Sequence, residues 1–79
     1  MSKQTTLAVN VSRDKKLHVW YVLSSDITGL HAEAETLDEL VAVISDVAPD
    51  LIAANMPEIP ADTAIRIQHE VNARPAHAA

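Results

Sequence analysis

Leu30-His31-Ala32-Glu33-Ala34-Glu35-Thr36-Leu37-Asp38-Glu39-Leu40-Val41 is the stretch in which the chain changes its period, and the fold class turns on that change. Up to Glu35 the residues alternate. Leu30, Ala32 and Ala34 take one face and His31, Glu33 and Glu35 the other, which predicts a short strand with one buried side. From Thr36 onward the spacing is helical. Thr36-x-x-Glu39 is a capping box, in which the Thr hydroxyl serves a backbone N–H and the Glu side chain reaches back to the cap. Asp38 and Glu39 also suit the positive end of the helix dipole. Leu37, Leu40, Val41, Ile44, Val47, Ala48, Leu51 and Ile52 then form one apolar stripe. Pro49 lies inside it, where it removes a backbone hydrogen bond and crowds the Ser45 carbonyl. The stripe keeps its phase past Pro49, so a kink is expected rather than a stop, and Asn55-Met56-Pro57 closes the helix.

Working toward the N-terminus, Leu7, Val9 and Val11 alternate with polar or small residues over 5–11, a first strand. Ser12-Arg13-Asp14-Lys15-Lys16 reads as a turn. Leu17 to Leu23 is a second strand with Leu17, Val19, Tyr21 and Leu23 on one face and His18, Trp20 and Val22 on the other. Both faces are mostly apolar, so this strand is expected to lie centrally or to be covered on its second face by another subunit. Ser24 to Gly29 is a loop, and its Gly29, the only glycine in the chain, suggests a backbone position with φ > 0. Beyond the helix, Glu58-Ile59-Pro60 is a connector. Thr63, Ile65, Ile67, His69 and Val71 then alternate with Ala64, Arg66, Gln68 and Glu70 as a fourth strand, and residues 72–79 are expected to fray. The expectation is an α+β, two-layer β-β-β-α-β fold, its first three strands an antiparallel meander and one kinked helix on one sheet face. It is a single domain over 1–79 with its core at about 5–71, and nothing in the chain is left to cover the other face.

Six Lys and Arg against eleven Asp and Glu give a net charge of −5. That balance excludes a free nucleic-acid binder, which needs clustered cations to meet phosphates. With no cysteine, disulfides, thiolate catalysis and Cys-ligated metals are excluded too. The start of the chain has no apolar targeting segment, and no apolar run approaches the ~20 residues of a membrane span. A soluble, cytoplasmic protein is expected. A domain of 79 residues buries only about 60–65% of its unfolded surface, and this one has no phenylalanine to fill a core. Stability from a homo-oligomer, dimer or tetramer, is therefore expected.

Chemistry-bearing residues are few. Of the four histidines, His31 with Glu33 and Glu35 puts an imidazole and two carboxylates on one strand face, the alternative being a metal or small-molecule site there. The plainer reading is a polar, solvent-facing edge. The aspartates fall in loops or on the outer helix face, no Gly-x-Ser-x-Gly elbow exposes a serine, and one glycine cannot build a phosphate loop. The chain is expected to be no enzyme and to hold no cofactor. Trp20, with His18 and Val22, is read as an oligomer-interface or core anchor rather than a stacking platform, which would want basic neighbours.

Trp20, Ser24, Asp26, Ile27, Gly29, Leu30, Glu33, Ala34, Thr36, Leu37 and Leu40 stand in the register of a known signature. Over about Val9 to Asn55 the chain resembles the short bacterial HicB-like family, including a branch described only as a domain of unknown function. The family has proline where Thr28 stands. The resemblance implies a fold like a degraded ribonuclease H domain without its carboxylate cluster, with Ser24, Asp26 and Gly29 as the loop motif. It also implies a non-catalytic interaction module, an antitoxin that covers a small basic, mRNA-cleaving toxin. Relatives bind operators through an added DNA-binding segment. No helix-turn-helix or ribbon-helix-helix is read after the fourth strand, so direct nucleic-acid binding is not expected.

Overall fold

The change of period at Thr36 separates sheet from helix as the spacing predicts. The computed structural model describes residues 6–69. Its elements are β1 (Thr6–Asp14), β2 (Val19–Ser25), β3 (Glu33–Ala34), α1 (Leu37–Asn55) and β4 (Ala64–His69). The sheet order is β3-β2-β1-β4, with β1 antiparallel to β2, β2 antiparallel to β3, and β4 parallel to β1. A parallel neighbour requires a crossover, and α1 is that crossover. The strand expected over 63–71 and the tail at 72–79 extend outside the described residues, as do residues 1–5.

The core lies between α1 and one sheet face. Leu7, Val9 and Val11 of β1 meet Leu40, Ile44, Ala48 and Ile52 of α1, with Ile27 and Leu30 closing one end. The two periods explain the match, since every second residue of β1 and every third or fourth of α1 point at one another. The Thr36 hydroxyl accepts from the Glu39 backbone N–H at 3.1 Å and donates to the Glu39 carboxylate at 3.0 Å. Pro49 does not divide the helix, which runs as one element of 19 residues.

The first turn lies later in the chain than the polar run suggests. β1 continues through Ser12 and Arg13 to Asp14, which pairs with Val19. One Asp14 carboxylate oxygen accepts from the backbone N–H groups of Lys16 and Leu17 at 2.8 and 3.0 Å. This Asx-type bonding makes the turn at Lys15–His18, and His18 leaves it with φ +56°. Leu17 and His18 thus belong to the turn, not to the second strand. The third strand also shrinks, from the expected 30–35 to Glu33–Ala34. Leu30 is buried as part of a loop instead.

The faces of β2 correct a second expectation. Between Asn10 and Val11 the register with β2 shifts, so that Asn10 pairs with Ser24 and Val11 with Val22. Leu23 is the extra residue of a bulge. Val22 thereby shares the face of buried Val11, and Trp20, opposite Ala34, shares it too. Both pack against the core under α1. They do not lie on the open sheet face, where the period-2 reading put them as an interface. The open face is mixed rather than apolar. By register it carries Thr6, Ala8, Asn10, Ser12 and Asp14 of β1, Val19, Tyr21 and Ser24 of β2, Glu33 of β3, and Ala64, Arg66 and Gln68 of β4, and the bulge residue Leu23 is exposed. The Gln68 side-chain amide donates to the Asn10 amide oxygen at 3.0 Å, and Asn10 in turn donates to the Ser24 hydroxyl at 2.9 Å. A polar ladder thus ties three strands together on that side.

Candidate functional site

The loop from Ser24 to Leu30 carries five of the eleven signature residues, and each has an internal task. The Ser25 hydroxyl accepts from the Ile27 N–H at 2.8 Å, a turn that drives the Ile27 side chain into the core. The Asp26 carboxylate accepts from the Ala8 N–H at 2.8 Å, while the Asp26 N–H donates to the Ala8 carbonyl at 2.9 Å. Together they anchor the loop to β1 where β2 ends. Gly29 has φ +85°. The Asn55 side chain, at the last residue of α1, donates to the Thr28 carbonyl at 3.0 Å. The residues of the loop motif predicted at Ser24, Asp26 and Gly29 each face a different protein partner: Ser24 accepts from Asn10 on the open sheet face, Asp26 accepts from the Ala8 N–H, and Gly29 passes beneath Asn55 of α1.

His31, Glu33 and Glu35 are all exposed. β3 ends at Ala34, so Glu35 falls outside the strand whose alternation was to align it with the other two. Among the described residues no group of three His, Asp or Glu side chains is placed to hold a metal ion. His18 is exposed at the hairpin turn, away from Trp20 and Val22 in the packing. The His69 ring meets Trp20 instead, edge to face, with centroids 4.7 Å apart and planes at 75°.

His69 also lines a surface cleft. This cleft of about 390 Å³ runs between the first half of α1 and β4, lined by Leu37, Val41, Ile44 and Ser45 from the helix and by Val11, Ile65, Ile67 and His69 from the sheet. It exists because the core side chains of α1 centre on β1, so β4 at the rim is only partly roofed: Ile65 and Ile67 are half-buried. Asp38 and Asp46, each next in sequence to a lining residue, are exposed, as are Glu39 and Asp50. The cleft is thus an apolar slot beside a helix with carboxylates on its outer side. Sequence reasoning did not single it out. The available signal was Ser45, a small polar residue at the margin of an otherwise apolar stripe, opposite the inward isoleucines of β4.

The fold is a small two-layer α+β module with an apolar slot between α1 and β4. The chain belongs to the family described as a Domain of unknown function (DUF1902), whose model matches residues 6–79. Among solved structures it is similar to the hypothetical protein TTHA1013 of the extremely thermophilic bacterium Thermus thermophilus. Identity is 30%, the alignment covers 89% of this chain and 99% of that one, and the TM-score is 0.78. No curated protein matches the sequence. No helix among the described residues is long and apolar enough to cross a membrane.

Proposed function

We propose that this chain is a non-catalytic protein-interaction module of the HicB-like type, an antitoxin that covers a small basic, RNA-cleaving toxin. The observation that carries the reading is the apolar cleft between α1 and β4 with exposed carboxylates along the neighbouring helix surface. In a chain of net charge −5, such a surface favours a partner that offers an apolar anchor within a cationic patch. Further support comes from the signature loop. The Ser24 hydroxyl accepts from Asn10, the Asp26 carboxylate accepts from the Ala8 N–H, and Gly29 packs beneath Asn55, so each is engaged within the fold, as suits a scaffold for docking.

Co-expression with the product of a small basic reading frame next to its gene tests the reading. A stable complex that relieves growth arrest is expected, and the charge reversals Asp38→Lys and Asp46→Lys in α1 should weaken it without unfolding the chain. Absence of both a complex and growth rescue overturns the proposal.

A further inference from the structure

β4 is an edge strand, paired with β1 along one side and, among the described residues, with nothing along the other. Soluble proteins blunt such edges with lysine, proline, bulges or short length, because a free row of N–H and C=O groups recruits another strand. The opposite edge obeys this rule, since β3 is two residues long. β4 is guarded less. It runs for six residues, Ala64-Ile65-Arg66-Ile67-Gln68-His69, without proline or lysine, in unshifted register with β1 and with Arg66 as its one guarding charge.

We propose that the free edge of β4 is a self-association surface that takes β4 of a second copy antiparallel across a two-fold axis, joining two four-stranded sheets into one. The register follows from the side chains. Residues directly opposite must share a sheet face, so the axis passes through a residue and not between two. Centring on Arg66 would set two guanidiniums against each other. Centring on Ile65 would place Ile67 opposite Thr63, outside the strand. Centring on Ile67 pairs it with its own copy, sets Arg66 against Gln68 and Ile65 against His69, and keeps nearly the whole strand in the ladder. The half-buried Ile65 and Ile67 walls of the two clefts then adjoin at the seam.

Charge favours this edge over the outer side of α1. Two copies meeting through the outer side of α1 would oppose Glu39, Asp46 and Asp50 in a chain already at −5, whereas β4 carries Arg66 as its only permanent charge. The area sets the strength. A six-residue ladder is ~20 Å long at ~3.3 Å per residue, so each copy covers only a few hundred Å², below the ~800 Å² per partner of a stable interface. The dimer is therefore a concentration-dependent one. This inference goes beyond the docking reading and stands without it, since it concerns the strand edge and needs no toxin.

Sedimentation of the full chain over a wide range of concentration tests it, together with Gln68→Lys and Gln68→Glu. Glutamate loses the donor to Asn10 while lysine keeps one, so unfolding of each monomer is measured beside association to separate that bond from the charge set opposite Arg66. By symmetry the pair occurs twice. The dimer dissociation constant should rise about threefold to tenfold with lysine and fall by a similar factor with glutamate. A chain that stays monomeric at all concentrations overturns the proposal. So does a dimer whose constant is the same in both variants, or full hydrogen-exchange protection of the outward β4 amides in the dilute monomer.

Discussion

Replacing Gly29 by alanine probes the loop between β2 and β3 where it packs on the end of α1. At φ +85° an L side chain carries the left-handed penalty of about 1–2 kcal/mol. A Cβ there would lie 3.1 Å from the Asn55 Nδ2 and 3.7 Å from the Leu51 Cδ2. The second distance is ordinary contact, and the first is not. Asn55 must retreat by a few tenths of an ångström, yet its amide is held at 3.0 Å by the Thr28 carbonyl, so the retreat weakens a hydrogen bond whose net worth is about 1 kcal/mol. The smaller conformational entropy of unfolded alanine returns about 0.4–1 kcal/mol. The sum is a destabilisation of about 2 kcal/mol. For a domain of this size that lowers Tm by on the order of 10 °C. Urea unfolding followed by Trp20 fluorescence, the chain having one tryptophan, should show a lower midpoint at unchanged slope. Asn55→Ala alone should cost about 1 kcal/mol, and Gly29→Ala in that background should cost less than in the parent, because the obstructing amide is gone. A Gly29→Ala protein within about 0.5 kcal/mol of the parent refutes the backbone argument, and strict additivity with Asn55→Ala refutes the contact.

Trp20→Ala should cost about 2 kcal/mol or more in thermal or urea unfolding, since the indole packs on the core and against His69, and should leave the monomer–dimer equilibrium of the folded chain unchanged. An unaltered midpoint with altered association would restore Trp20 to an interface. Thr36→Ala removes both hydrogen bonds of the Thr36 hydroxyl to Glu39 and should cost about 1 kcal/mol by the same assay, with Thr36→Ser close to the parent. At His18, with φ +56°, glycine should match or exceed the parent's stability, whereas β-branched valine should lose about 1 kcal/mol or more. Equal stability of the glycine and valine variants would contradict that turn geometry.

How far each element was legible follows from how many signals agreed. At Thr36 the period, the capping pair and the acidic first turn all pointed the same way, and α1 begins there. In β4 the alternation of Ile65 and Ile67 with Arg66 and Gln68 fixed the buried face, and both isoleucines pack on the core. β2 offered two apolar sets of similar weight, so alternation could not choose between them. The choice came from pairing with β1, where the bulge at Leu23 sets Val22 and Trp20 in line with Val11. A bulge depends on two strands at once and leaves no mark in either alone. Polar Ser12 and Arg13 likewise read as a turn, because a projecting strand end needs no apolar residue to hold it. Within the candidate site the loop residues were visible as a motif. The cleft was not, since it lies between elements far apart in sequence.

The want of large side chains connects these points. Without phenylalanine, the one tryptophan is drawn under the helix, where it spans from β2 across β1 to His69. That leaves the opposite face free to be polar, and the ladder of Gln68, Asn10 and Ser24 occupies it. That bonded patch gains little from being covered by another copy, whereas the rim joins apolar side chains to an outward backbone edge. There β4 has only half-buried isoleucines and, among the described residues, a single paired edge. The element least secured by its own chain is thus the one with most to gain from a second. Because association through it adds burial that the monomer lacks, stability and self-association should be linked: the folded state should melt higher as concentration rises, to a degree set by the Gln68 charge variants.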